Sequence, residues 1–225
     1  MVAFSFYSQQ AKLPELEKLA ASLQINNIEL DEDFLHEDTQ ALLRARYVSG
    51  LRYISLRMNN LSYTRKALQQ AALWCEANNV ASMLFIEPSD PEQIMRELDI
   101  FRVKVVFENK NGTFLSSPDD LDSFFRANRN ALLSFNAAEM VSQRIHPFLS
   151  ALNGKTYRRQ LFLIRVQDRC FNGADALPCA GDAELAECFS AVAGYGLDCW
   201  ASIAPYAKYT YTEIKSHMCE ALCRI

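Results

Sequence analysis

The sequence has no Lys/Arg run, no CxxC pair, no stretch of roughly 18 apolar residues and no glycine-rich turn after its first apolar strand. Each absence removes a class of function. Positive and negative side chains number 23 and 27, for a net charge of −4 and a pI near 5.5. Without a concentrated basic face, phosphate backbones have nothing to hold, so no nucleic-acid partner is expected. The opening MVAFSFYSQQ carries too short an apolar run for a signal peptide, with no basic region before it. No membrane span is expected either, and the protein is expected to be soluble and cytoplasmic. The seven cysteines (75, 170, 179, 188, 199, 219 and 223) are odd in number and form no cluster with histidine. That pattern argues against a disulfide framework and against a structural zinc site, and it fits a reducing compartment. Cys188, Cys199 and Cys219 sit among apolar residues and are expected as buried thiols acting as small hydrophobes. A Rossmann dinucleotide site would lack its phosphate-binding turn.

What is present is alternation. Apolar, strand-type runs begin near Val2, Asn27, Leu51, Ala81, Val103, Ala131, Leu161 and Cys199. Amphipathic stretches of helical period lie between them, such as PELEKLAASL, SYTRKALQQAALWCEAN and SPDDLDSFFRANRN. Start signals agree: Pro14 suits a first turn, Ser117-Pro118-Asp119-Asp120 sets a cap, a proline and acids together, and Asp182-Ala183-Glu184-Leu185 opens another acidic-first helix. Eight strand–helix repeats predict an α/β fold with a parallel sheet, and eight is the number that closes a barrel. The expectation is one domain over residues 1–225, a compact single (β/α)8 TIM barrel with short loops. A doubly wound open sheet is the alternative.

In such barrels alternate strand residues point inward, and the C-terminal strand ends build the site. Here those ends are polar. Strand three carries Ser55 and Arg57, strand four ends in Glu87, strand five in Glu108, and strand six in Ser134-Phe135-Asn136. Strand seven carries Arg165, Gln167 and Asp168. Polar groups on otherwise apolar strands are costly unless paired or solvated. A single one is as easily the place where the chain meets water; their repetition around the ring predicts a polar pocket.

Three segments carry a family resemblance: VVFENKNGTFLSSPDDL from Val105, LIRVQDRCFNGADALPCAGDAELAECFSAV from Leu163, and YGLDCWASIAPY from Tyr195. Together with LLSFNAAEMV they resemble the C-terminal half of the xylose isomerase-like barrels, the sugar phosphate isomerase/epimerase family related to endonuclease IV. The N-terminal half is similar only in strand rhythm. The resemblance implies a divalent metal held by Glu on strand five, Asp on strand six, His on strand seven and Glu on strand eight. Such a metal would stabilise an enediolate while two glutamates move the proton beside the carbonyl. Position by position, Glu108 matches the first ligand. Asn136 stands where Asp is expected, Arg165 where His is expected, and Ala204 where the second Glu is expected. Glu139 takes the place of a substrate-contacting His. The scaffold positions Asp168, Gly181, Asp182, Asp198 and Pro205 are kept. Guanidinium cannot coordinate a cation and stays protonated at ordinary pH, so an Arg165–Glu108 pair is expected where the family holds its metal, with no cofactor. His36, His146 and His217 fall in helices or connections and cannot restore an imidazole at a strand end.

The expected function is a family-like barrel that binds a small ligand without metal chemistry. Arg57, Arg165 and Arg169 would favour an anionic ligand such as a sugar phosphate or sugar acid, with Glu87, Glu108, Asn136 and Asp168 among the contacts to a sugar. The alternative is a metal-independent isomerase, epimerase or lyase, with Glu108 as base, Arg165 as electrophile and Glu139 or Glu87 as second acid/base. A third possibility keeps magnesium or manganese on Glu108, Asn136, Glu139 and Asp168. A homodimer through outer helices is also allowed. Endonuclease activity is disfavoured, because the histidine-rich three-metal set of those relatives is missing.

Overall fold

The computed structural model describes residues 2–9, 11–60 and 62–223. The strands are β1 (Val2–Tyr7), β2 (Asn27–Asp31), β3 (Arg52–Met58), β4 (Ser82–Phe85), β5 (Lys104–Glu108), β6 (Leu132–Phe135), β7 (Leu161–Arg165), a short pair β8 (Asp168–Arg169) and β9 (Asp175–Ala176), and β10 (Cys199–Ile203). Among the described residues, eight strands form a closed barrel in the order β1-β10-β7-β6-β5-β4-β3-β2, and β8 and β9 form a small antiparallel ladder beside it. The intervening helices are α1 (Leu13–Leu23), α2 (Thr39–Ser49), α3 (Arg65–Asn78), α4 (Pro91–Leu98), α5 (Pro118–Ala127), α6 (Ala137–Val141), α7 (Leu185–Gly194) and α8 (Tyr211–Leu222). All eight expected strand runs are strands of the barrel.

The helix signals act as their chemistry requires. At α5 the Ser117 hydroxyl accepts the Asp120 N–H, and the Asp120 carboxylate accepts the Ser117 N–H at 3.0 Å. These bonds satisfy donors that the first turn leaves unpaired, and such a cap is worth about 1 kcal/mol. Leu121, Phe124 and Phe125, three and four positions apart, are the residues α5 buries. The acidic-first start at Asp182 is different. There α7 begins only at Leu185, and Glu184 adopts a left-handed φ of 50°. Its carboxylate is used elsewhere, accepting the N–H of Phe148 at 2.7 Å and of Leu149 at 3.2 Å, with His146 Nδ1 at 2.8 Å.

The chain divides into two compact units, Ser5–Phe107 and residues 2–4 with 108–223. In the first, Glu29 lies opposite Ser55 and Asp31 opposite Arg57. Side chains alternate along a strand, so these residues share one face. Glu29 and Ser55 are fully buried, while Arg57 at the strand end is half-buried. The other face is apolar, and Met83, Phe85, Val105 and Phe107 of β4 and β5 are buried there, as parallel strands covered on both sides require. In the second unit Ser134 is opposite Leu163 and Ser202 opposite Arg165, again one face. The strand expected through Asp168 stops at Arg165, because Asp168 leaves the barrel to open the β8–β9 ladder. Cys75, Cys188 and Cys199 are buried, but Cys219 is only half-buried, since α8 turns Ile214 and Met218 rather than Cys219 to the core.

Candidate functional site

Strand alternation brings Glu108, Ser134, Arg165 and Ser202 to one place. Arg165 Nε donates to Glu108 Oε2 at 2.6 Å, Ser134 Oγ donates to the same oxygen at 2.9 Å, and Arg165 Nη1 donates to Ser202 Oγ at 2.9 Å. Arg165 is 1% exposed and Glu108 4%. A lone buried charge of either sign would be strongly destabilising, and the short contact with hydrogen-bonded flanks is what lets both stay ionised inside a barrel. Asn109, also buried, locks the adjoining strand ends. Its Nδ2 donates to the Asn136 carbonyl at 2.9 Å, and its Oδ1 accepts the Asn136 N–H at 2.7 Å. The Asn136 side chain itself donates to Gln167 Oε1 at 3.2 Å and, among the described residues, leaves its buried Oδ1 without a hydrogen bond.

The remaining named residues of this unit make bonds of their own. Glu139 accepts the Asn111 N–H at 3.1 Å and so fastens the loop after β5. Asp168 Oδ1 accepts the N–H of Arg169 (2.7 Å) and Ala183 (3.0 Å), and its Oδ2 accepts that of Gly181 (3.0 Å). Burial raises the Asp168 pKa above its ordinary value despite these bonds. The residue anchors the loop between β8 and α7. Gly181 is required there, because a Cβ would lie 2.5 Å from Asp168 Oδ1 and 2.8 Å from the Arg169 carbonyl. Arg169 is partly exposed and bonds Asp175 at 3.2 Å. In the other unit Arg57 lies over the Tyr7 ring, 4.5 Å from its centroid, and Glu87 is half-buried in the bend after β4. His36 closes a 3-10 turn, His146 precedes a π-helical turn, and His217 on α8 bonds the Pro178 carbonyl at 2.7 Å.

Ser202, Ser134 and Asn109 complete the centre; Ser134 stands among the polar strand ends read from the sequence, whereas Ser202 and Asn109 do not. The signal for Ser134 and Ser202 was positional: a small polar residue two places before Asn136 and Ala204, on the inward parity of β6 and β10.

These residues do not fit a divalent metal. Glu108 Oε2 is engaged by a guanidinium, Ala204 offers no donor atom, and Asn136 offers one neutral oxygen. Among the described residues no group of three or more His, Cys, Asp or Glu converges to hold an ion.

A closed parallel barrel with polar strand ends defines the class as a (β/α)8 barrel. No protein-family model matches the sequence, and no curated protein matches it either. Solved structures do. A D-tagatose 3-epimerase-like protein superposes with a TM-score of 0.77 at 13% identity, covering 99% of this chain and 97% of the other. A probable 3-DHS dehydratase of petrobactin synthesis from Bacillus anthracis gives 0.74 at 10%, covering 96% and 97%. A xylose isomerase-like TIM barrel protein from Mycobacterium smegmatis, in complex with magnesium, gives 0.72 at 10%, covering 98% and 95%. The fold of the chain is that of the xylose isomerase-like barrels.

Proposed function

We propose that this protein is a cytoplasmic, sugar isomerase/epimerase-like barrel that binds a small polyhydroxylated or anionic ligand and does not use metal-dependent isomerisation. The observation that carries this is the buried Glu108–Arg165 contact of 2.6 Å, at the positions where the family resemblance expects a metal ligand pair. A guanidinium there supplies the positive charge on a side chain, and the carboxylate that would hold an ion is turned to it. The free thiols, none of them in a disulfide among the described residues, suit a reducing compartment. Use of Glu108 as a base with Arg165 as electrophile would require the pair to open, since both groups are closed to solvent and bonded to each other.

The test is titration of the purified protein with manganese, read by water-proton relaxation and by thermal unfolding. No saturable site and no shift in Tm are expected up to millimolar metal. A site ligand binding only the folded state raises stability by RT ln(1 + [L]/Kd), about 2.7 kcal/mol at a hundredfold excess over Kd, so stoichiometric binding would be plain and would refute the reading.

A further inference from the structure

The unit Ser5–Phe107 carries an open cleft of about 520 Å³ at the C-terminal ends of β1, β2 and β3. Its volume falls within the roughly 300–1,000 Å³ of small-molecule sites. The wall includes Tyr7, Asp31, Glu32, Asp33, Arg57 and Asn59, and among the described residues no aliphatic side chain lines it.

The wall is ordered by its own bonds. The Tyr7 hydroxyl donates to Asp31, and Asn59 Nδ2 donates to the same carboxylate at 3.2 Å. Arg57 lies on the Tyr7 ring and donates through Nε to Asn59 Oδ1 at 3.3 Å. Glu32 accepts the Asn59 N–H at 3.1 Å and Asn60 Nδ2 at 2.8 Å. Burial, and then the bond to Asp31, hold the Tyr7 phenol above its usual pKa, so it remains a donor. A site whose polar groups are already held in place loses little conformational freedom when a ligand enters.

Charge then decides what enters. Three carboxylates (Asp31, Glu32 and Asp33) face one guanidinium (Arg57), leaving the wall with a net charge of −2. A phosphate or sugar acid meets a field of the wrong sign, whereas hydroxyls find acceptors and an amine finds a favourable potential. Asp33 stands exposed at the rim, next to the buried Asp31.

We propose that this cleft binds a polyol bearing an amine, of which an amino sugar is the simplest example, and selects against phosphorylated and acidic sugars. The inference rests on the reading that the chain binds a small ligand, and it narrows that ligand's chemistry.

The experiment is calorimetric titration of the whole chain, at low salt, with D-glucosamine, D-glucose, D-glucose 6-phosphate and D-glucuronate. Saturable binding is expected for glucosamine, weaker binding for glucose, and none for the two anions. Asp33→Asn, a change at an exposed side chain, should weaken glucosamine about two- to fivefold, the effect of one exposed ion pair, and glucose by less. Added salt should narrow the difference between the two sugars. Binding of glucose 6-phosphate at least as tight as glucosamine, no saturable binding by any probe, or an Asp33→Asn variant that keeps full preference for glucosamine would each overturn the proposal. None of these outcomes touches the manganese titration. Metal binding alongside a glucosamine preference would defeat the metal-free reading and leave the cleft standing.

Discussion

Breaking the Glu108–Arg165 pair from one side should cost far more than removing it whole. Arg165→Met takes away the guanidinium that bonds Glu108 Oε2 at 2.6 Å and leaves a carboxylate 4% exposed that has lost that counter-charge. Stranding a buried charge in this way is worth about 3–5 kcal/mol, and Glu108→Gln should cost a similar amount by stranding the guanidinium. For a chain of 225 residues, at about 2–4 °C per kcal/mol, either loss lowers Tm by roughly 6–20 °C. The double variant Glu108→Gln/Arg165→Met strands nothing and should fall within about 0–2 kcal/mol of the parent. The coupling between the two sites should therefore exceed about 3 kcal/mol, at or above the usual range for neighbours. Urea unfolding followed by tryptophan fluorescence reports it, since Trp200 lies on β10 two residues from Ser202. Equal m-values across the four proteins are needed for the comparison. Single losses that simply add, to within about 0.5 kcal/mol, would mean that the contact carries no energy of its own and would refute the argument.

Two further outcomes test neighbouring features. Gly181→Ala must move the Arg169 carbonyl and the Asp168 carboxylate from 2.8 and 2.5 Å, and should cost about 1–3 kcal/mol. Gly194→Ala at the end of α7 meets nothing within 4 Å and should gain about 0.4–1 kcal/mol; both are read by the same denaturation, and equal effects would remove the packing argument. Among the thiols, exposed Cys223 should react with Ellman's reagent in the native protein at pH 8, while buried Cys75, Cys188 and Cys199 wait for unfolding. Burial pushes Cys179 up to about 11, so at pH 8 roughly one thiol in a thousand is thiolate and its rate should climb about tenfold per pH unit toward 10; fast labelling of Cys179 at pH 7, located by peptide mapping, would contradict its burial.

The barrel was legible because its signals are local. Each strand run is short and apolar, and α2, α3, α4, α5 and α8 each open on a side-chain cap of their own, as Ser117 and Asp120 show. The Glu108–Arg165 contact was legible for another reason: two positions matched to one family pattern carry opposite charge, and opposite charges in a dry interior must meet. What escaped was long-range. That Asp168 would spend its oxygens on Gly181 and Ala183 depends on how a loop thirteen to fifteen residues further on folds back. Glu184 reads as an N-terminal helix acid, yet it takes a left-handed conformation and reaches backbone donors at Phe148 and Leu149, some 35 residues away. The cleft itself was not legible, because the sequence does not show that Tyr7, Asp31, Glu32, Asp33, Arg57 and Asn59, from three strand ends, line one hollow.

Arg165 has one property that no bound ion shares: it cannot dissociate. An ion at a strand end comes and goes with its concentration, and a chelator or a competing ion can remove it. The guanidinium is fastened to β7 by its own side chain and is only 1% exposed. Whatever the supply of metal, that positive charge stays part of the chain.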